Sequence, residues 1–188
     1  GKILTDVRLP EGRGILSVYP GSFPADAGRS EKAPAVRDVE VPLEASPVTF
    51  KTFIAPPAGD VDITKQNILV ALGRGIQTQD NIALGEELAA LLGGAVCGSR
   101  PVIDQGWLPM TRQVGKSGMT VKPRLYIALG ISGAPEHQEG MKDSPMIIAV
   151  NTDPGAPIFD VAQYGVVMDL FELVEPLKAA IEAKKAGA

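Results

Sequence analysis

Asn67-Ile68-Leu69-Val70-Ala71-Leu72-Gly73-Arg74-Gly75 decides how the chain is read. A short, near-continuous apolar run closed by a glycine turn is the mark of a strand buried on both faces, as in a parallel sheet. The next segment, residues 81–92, has a helical period instead, with Ile82, Leu84, Leu88, Leu91 and Leu92 on one face. The alternation continues. Residues 95–97, 125–129, 146–150 and 166–168 read as further strands, residues 136–141 as a short helix, and residues 170–184 as a closing helix. Strands separated by helices imply right-handed crossovers and a parallel α/β sheet with helices on both faces. Residues 65–188 therefore read as one domain.

Upstream the texture changes. Residues 1–54 hold short β-type runs at 3–7, 15–19, 36–41 and 48–54, separated by Pro and Gly and without a helical period. Strands this short do not close a core of their own, so the segment reads as the β-rich end of a domain whose first part is missing. The absence of an initiator Met and of signal-peptide architecture leads to the same expectation of a cut piece. Residues 55–64, opening Ala55-Pro56-Pro57, read as a stiff linker.

Composition narrows the function classes. A formal charge of −4, evenly spread, offers no basic surface for nucleic acid. One cysteine, Cys97, precludes an internal disulfide, and one histidine beside it argues against a protein-only zinc or iron–sulfur site. No apolar run reaches the roughly 18 residues of a membrane span. The expected setting is reducing, cytoplasmic in a bacterium or the mitochondrial matrix in a eukaryote.

In open α/β sheets, ligands bind outside the carboxyl ends of the strands, near the switch in strand order. Glycines and polar residues gather at those ends: Gly73-Arg74, Ser99-Arg100, Gly130-Ile131-Ser132-Gly133, Asn151 and Asp169. Backbone N–H groups in a turn such as 130–133 suit a phosphate, though such a turn is as often only a turn. Arg74, between two glycines, fits a phosphate fork or a solvated surface. Gln113-Val114-Gly115-Lys116-Ser117-Gly118 lacks the first glycine and the lead-in strand of a P-loop, so an NTPase is rejected. His137 has no Ser-His-Asp or Cys-His set around it, and Cys97 reads as buried and inert.

Taken in order, these blocks resemble the FAD domain of electron transfer flavoprotein alpha subunits and their fixation-linked relatives. The resemblance is carried by Gly73-Arg74-Gly75, the run from Cys97 to Gly106, Gln113 to Gly118, Leu125 to Ala134, His137, Gly140 to Ser144, and Asn151 to Phe159. Val18 to Pro24 is similar to the end of that family's N-terminal domain. The resemblance implies a Rossmann-like, DHS-like NAD/FAD-binding sheet and FAD as cofactor. It implies Arg100 against the isoalloxazine, His137 near its N1–C2 carbonyl edge, and a Ser117 hydroxyl at flavin N5. Donors there favour anionic reduced flavin. Arg74, Ser99 and the segment Ser132, Gly133, Ala134, Pro135, Glu136, His137 would hold the ribityl-pyrophosphate. Gln113, Val114, Gly115 and Lys116 would frame the flavin, with Asn151, Asp169 and Leu170 at the adenosine end.

The family commonly has Gln-Thr at Lys116-Ser117, Gln at Glu136 and Lys at Thr152, so charge near the flavin departs from its pattern. The implied function is electron relay, not stand-alone catalysis. A beta subunit would be the partner, with a dehydrogenase such as acyl-CoA dehydrogenase as donor and a quinone-reductase-type or other acceptor. Neither nucleic acid nor membrane insertion is expected. The rival reading is a nucleotide-binding module for NAD or AMP with no redox role.

Overall fold

The computed structural model describes residues 5–9, 11–18, 22–23, 25–33, 35–42, 47–53 and 60–187. The chain divides into two units, Gly1–Lys51 and Thr52–Ala188.

In the first unit the described residues contain one short 3-10 turn, Ala25–Gly28, and no strand. This differs from the β-rich expectation. The reason is physical: a strand needs a hydrogen-bonded neighbour, and the described parts of these runs are solvent-facing, with Ile15, Leu16, Val18, Val36 and Val39 exposed. The remaining parts of the runs lie outside the described residues, as does the first half of the expected linker, residues 55–59.

The second unit is a five-stranded, all-parallel sheet. Its strands are β1 (Ile68–Leu72), β2 (Ala95–Gly98), β3 (Leu125–Leu129), β4 (Ile147–Asn151) and β5 (Tyr164–Val167), in the order β2-β1-β3-β4-β5. Period-two alternation divides the core. Leu69, Ala71, Cys97, Tyr126, Ala128, Ile147 and Ala149 face one layer, and Val70, Leu72, Val96, Ile127, Leu129 and Val150 face the other. Both faces are buried, which explains why the strands read as continuous apolar runs.

Helices α1 (Ile82–Leu92) and α4 (Leu170–Ala186) cover the second layer through Leu88, Val174 and their neighbours. Gly93 ends α1 in the left-handed conformation at φ 71°. The Asp169 side chain caps α4 by accepting the Phe171 N–H. Lys178 ties α4 back to α1 through Glu87 at 2.5 Å.

The first layer is covered by short elements: α3 (Pro135–Gln138), the 3-10 turns Ile63–Lys65 and Pro157–Asp160, and loops carrying Val114, Val121 and Met141. Residues 60–64, expected as linker, instead pack on this layer. Ile63 is 1% exposed. Asp60 pairs with Arg112 at 2.6 Å and accepts from the Thr111 hydroxyl, while Arg112 donates to the Val96 carbonyl at 2.8 Å. Two partners 51 and 52 residues downstream hold the carboxylate, a contact without local sequence signal. A further helix, α2 (Arg100–Asp104), follows β2 where the sequence suggests only a polar loop. Among the described residues, no helix is long and apolar enough to cross a membrane.

The chain steps from β1 to β2 on one side and then crosses to β3 on the other. The switch point therefore lies between β1 and β3. There the two outgoing loops are laced together by Gly73 N–H to the Leu129 carbonyl (2.9 Å) and Gly75 N–H to the Gly130 carbonyl (3.1 Å). Glycine is required at this crossing. Gly130 has φ +64°, and a Cβ on it would stand 2.7 Å from the Gly75 Cα.

Candidate functional site

Beyond the strand ends at this switch point lies a cleft of about 980 Å³, and beside it a smaller one of about 200 Å³ that shares Gly75, Gly130 and Asn151. The larger is of the size that takes a cofactor. The residues selected from the sequence line it, with three exceptions. Arg74, Ser99, Arg100, Gln113, Val114, Gly115, Lys116, Ser117, Ser132, Gly133, Ala134, Glu136, His137 and Asn151 all face the large cleft. Asp169 and Leu170 line the small one. Pro135 lines neither; it is exposed in the first turn of α3.

Four strand ends and one inserted segment build the walls. After β1, Arg74 opens a 3-10 turn, Arg74–Ile76. After β2, Ser99 leads into α2, and Arg100 pairs with Asp104 across an exposed 3.3 Å contact. Residues 113–117 are fastened to the edge of β2 by a bridge between Gln113 and Gly98, with Val114 N–H donating to the Gly98 carbonyl at 2.9 Å. The Gln113 amide, 2% exposed, donates to the Ser117 hydroxyl oxygen at 2.9 Å. That donation occupies a lone pair of Ser117 and leaves its own O–H to point elsewhere.

After β3, the loop 130–134 is pinned by Ile158 N–H to the Ser132 carbonyl (3.0 Å), by the Gln138 amide to the Gly133 carbonyl (2.8 Å), and by Asn151 Nδ2 to the Ile131 carbonyl (2.9 Å). Gly133 has φ +83°, and a Cβ there would meet the Ile158 nitrogen at 2.3 Å. Among the described residues no backbone acceptor meets the N–H groups of Ser132, Gly133 and Ala134. Helix α3 is one turn long, so any anion held here would be held by these amides and by side chains, not by a helix dipole.

Arg74, Arg100 and Lys116 supply positive charge to the lining, and Asp104 and Glu136 oppose it. Lys116 N–H donates to the Glu136 carbonyl at 2.7 Å, and its ammonium lies 4.0 Å from Glu139. The balance favours an anionic ligand by about one charge.

His137 is buried at the inner wall. Its Nε2 lies 3.0 Å from the Tyr126 hydroxyl, and its Nδ1 is buried with no hydrogen-bond partner among the described residues. Burial lowers the ring's pKa from 6.5 to about 4, against a weaker pull from the Val114 backbone. The imidazole is therefore neutral at pH 7. A buried polar atom without a partner beside a cleft is what a ligand's polar group satisfies. The donor set, with backbone amides and cations at the loops and a buried imidazole and hydroxyl within, fits a cofactor carrying phosphate and a heteroaromatic ring.

Gly130 and Ile131, of the turn the sequence singles out, line the cleft together with Gly75. Sequence reasoning passed over other lining groups. Pro101 and Asp104 belong to α2, whose signal was the Ser99 position followed by Pro at the first turn. Gln77, in the small cleft, adopts φ 67° in a tight γ-turn with Thr78 N–H 2.8 Å from the Ile76 carbonyl. No residue pattern announces that.

Residues 62–142 match the family model described as the electron transfer flavoprotein FAD-binding domain. The chain is 44% identical over 171 residues to electron transfer flavoprotein subunit alpha of Methylophilus methylotrophus, covering 90% of this chain and 53% of that protein. It is 43% identical over 193 residues to acryloyl-CoA reductase electron transfer subunit beta of Anaerotignum propionicum, covering 98% and 53%. It is 50% identical over 172 residues to protein FixB of Azotobacter vinelandii, covering 86% and 46%. The chain thus spans about half the length of these relatives.

Proposed function

We propose, from the match of residues 62–142 to the electron transfer flavoprotein FAD-binding domain family model, that the chain is the FAD-holding part of an electron-transfer flavoprotein alpha subunit. It relays electrons and transforms no substrate of its own. The observation that carries the proposal is the meeting, in one cleft at the switch point, of Ser99, Arg100, Ser117 and the buried, half-satisfied His137. Pyrophosphate binding alone, as in an NAD or AMP module, has no use for a buried imidazole and a serine hydroxyl engaged by Gln113.

The chemistry supplied by bound FAD is electron uptake from a donor and release to an acceptor. The residues divide that task. Arg74, Ser99 and the amides of Ser132, Gly133 and Ala134 hold the ribityl-pyrophosphate, where two negative charges meet N–H donors and a guanidinium. Asn151 is oriented by its bond to Ile131 and, with Asp169 and Leu170, receives the adenosine end. Ser117, its oxygen engaged by Gln113, presents its O–H to the flavin. Arg100 would supply positive charge to the flavin, moderated by Asp104. Val114 and Gly115 close the wall beside His137. Fixed donors aimed at the ring favour electron-rich flavin without reorganising.

The relatives' names carry electron transfer in both alpha-subunit and reductase settings. We infer a beta subunit that completes the site, a dehydrogenase as donor, as in fatty acid oxidation, and a separate acceptor.

The first test is the visible absorption spectrum of the purified chain, with and without its beta subunit, followed by acid release of the chromophore. Oxidised flavin bands and released FAD are expected. A colourless protein that takes up no FAD in either state would refute the proposal and leave the nucleotide-module reading.

A further inference from the structure

His137 is gripped chiefly through Nε2, with only a weaker pull from the Val114 backbone. Its Nε2 meets the Tyr126 hydroxyl at 3.0 Å, and its Nδ1 has no partner among the described residues. Tyr126 is fully buried on β3, in the layer that also holds Cys97. The two rings are tilted by 55° with centroids 6.2 Å apart, so the contact runs through the hydroxyl and not through stacked faces.

A neutral imidazole has one N–H and one bare nitrogen, and the bond made at one fixes the state of the other. The phenol has one proton to give and, among the described residues, one hydrogen-bonded partner, the His137 Nε2, with the Cys97 thiol in the same buried layer. Imidazole nitrogen is a good acceptor and sulfur a weak one. With the phenol proton on Nε2, the imidazole's own proton sits on Nδ1. The opposite arrangement wastes the phenol proton on sulfur. Burial also keeps both neighbours protonated, the thiol with its pKa pushed up to about 12 and the phenol raised well above its ordinary range. Neither competes for the imidazole proton.

We propose that Tyr126 is a positioning residue of the FAD site, holding His137 as the neutral Nδ1–H tautomer so that it presents a fixed, uncharged hydrogen-bond donor to the flavin. The identity of the acceptor rests on the flavoprotein reading above; the tautomer does not. A donor locked before the cofactor arrives loses nothing to rotation or proton exchange when it binds.

His137 is the chain's only histidine, so its ring nitrogens give one pair of signals that needs no assignment. The experiment is long-range ¹H–¹⁵N correlation spectroscopy of the labelled chain at pH 7, before and after Tyr126→Phe, with FAD titrated into both and followed by flavin fluorescence. The expected result is a neutral ring protonated at Nδ1 in the native chain. In Tyr126→Phe the proton redistributes towards Nε2, and FAD binds about fivefold more weakly, the worth of one neutral hydrogen bond. A native ring protonated at Nε2, or a Tyr126→Phe ring that keeps Nδ1–H, overturns the proposal. If Tyr126→Phe does not fold, the native spectrum decides alone. If neither protein takes up FAD, the flavin part falls while an Nδ1–H tautomer still upholds the role of Tyr126. A merely structural tyrosine would lower stability and leave the tautomer where it was.

Discussion

Acidification from pH 7 to pH 5 should weaken the fold through one residue. His137 has an ordinary pKa of 6.5 in the unfolded chain and about 4 when buried. Between those values the unfolded chain binds a proton that the folded chain refuses, so stability falls as pH falls, beginning near 6.5 and levelling below about 4. Integrating one site over the interval from pH 7 to pH 5 gives a loss of about 2 kcal/mol, roughly a 25-fold drop in the folding equilibrium. The carboxylates do not confound this window. Ordinary Asp and Glu titrate near pH 4, Asp62 is held to about 2 by Thr64 and Lys65, and Asp60 is lowered by Thr111 and Arg112. The assay is urea denaturation without FAD, followed by the fluorescence of Trp107, the single tryptophan, which packs against the helix-covered layer. His137→Gln is the control. It starts from lower stability but should show little change between the two pH values. A native protein with equal stability at pH 7 and pH 5 would refute the burial argument. Equal losses in native protein and variant would assign the effect to some other group.

Three further outcomes are expected. Asp60→Asn keeps a partner for Thr111 but removes the charge facing the mostly buried Arg112, at a cost of about 1–3 kcal/mol in urea denaturation at pH 7. That contribution is complete above the carboxylate's ordinary pKa and fades as pH falls through its depressed folded value. Gly133→Ala forces a left-handed residue and a 2.3 Å contact with the Ile158 nitrogen, so more than about 2 kcal/mol should be lost together with the flavin absorbance of the reconstituted protein. Lys116→Gln should lower the flavin midpoint potential by about 10–40 mV in potentiometric titration, since a half-exposed charge beside Glu139 is worth less than about 1 kcal/mol; an unchanged potential would remove Lys116 from the tuning of the site.

How far the sequence could be read follows from where each residue's information lies. Buried on both faces, β1, β3 and β4 were legible as apolar runs, and β3 fell on Leu125–Leu129 to the residue. The edge strand β5 was misplaced by two residues at its start, because Tyr164 and Gly165 are exposed and carry no apolar signal. Helix α2 is five residues long and too short for a period to show. The groups that face the cleft were found because strand ends in a parallel sheet are where ligands go, and polar residues are conspicuous there. The groups that hold them were not. Tyr126 reads as one more core residue of β3 and acquires its role from His137, a partner that the chain delivers from elsewhere; Asp60 reads as linker, and only Thr111 and Arg112 from far downstream make it part of the fold. The distinction is physical. A group that touches a ligand must be polar and stand at a loop, where it shows in the sequence. A group that orients another must be immobile, and immobility comes from burial, where a tyrosine looks like packing until its hydroxyl is seen to meet an imidazole.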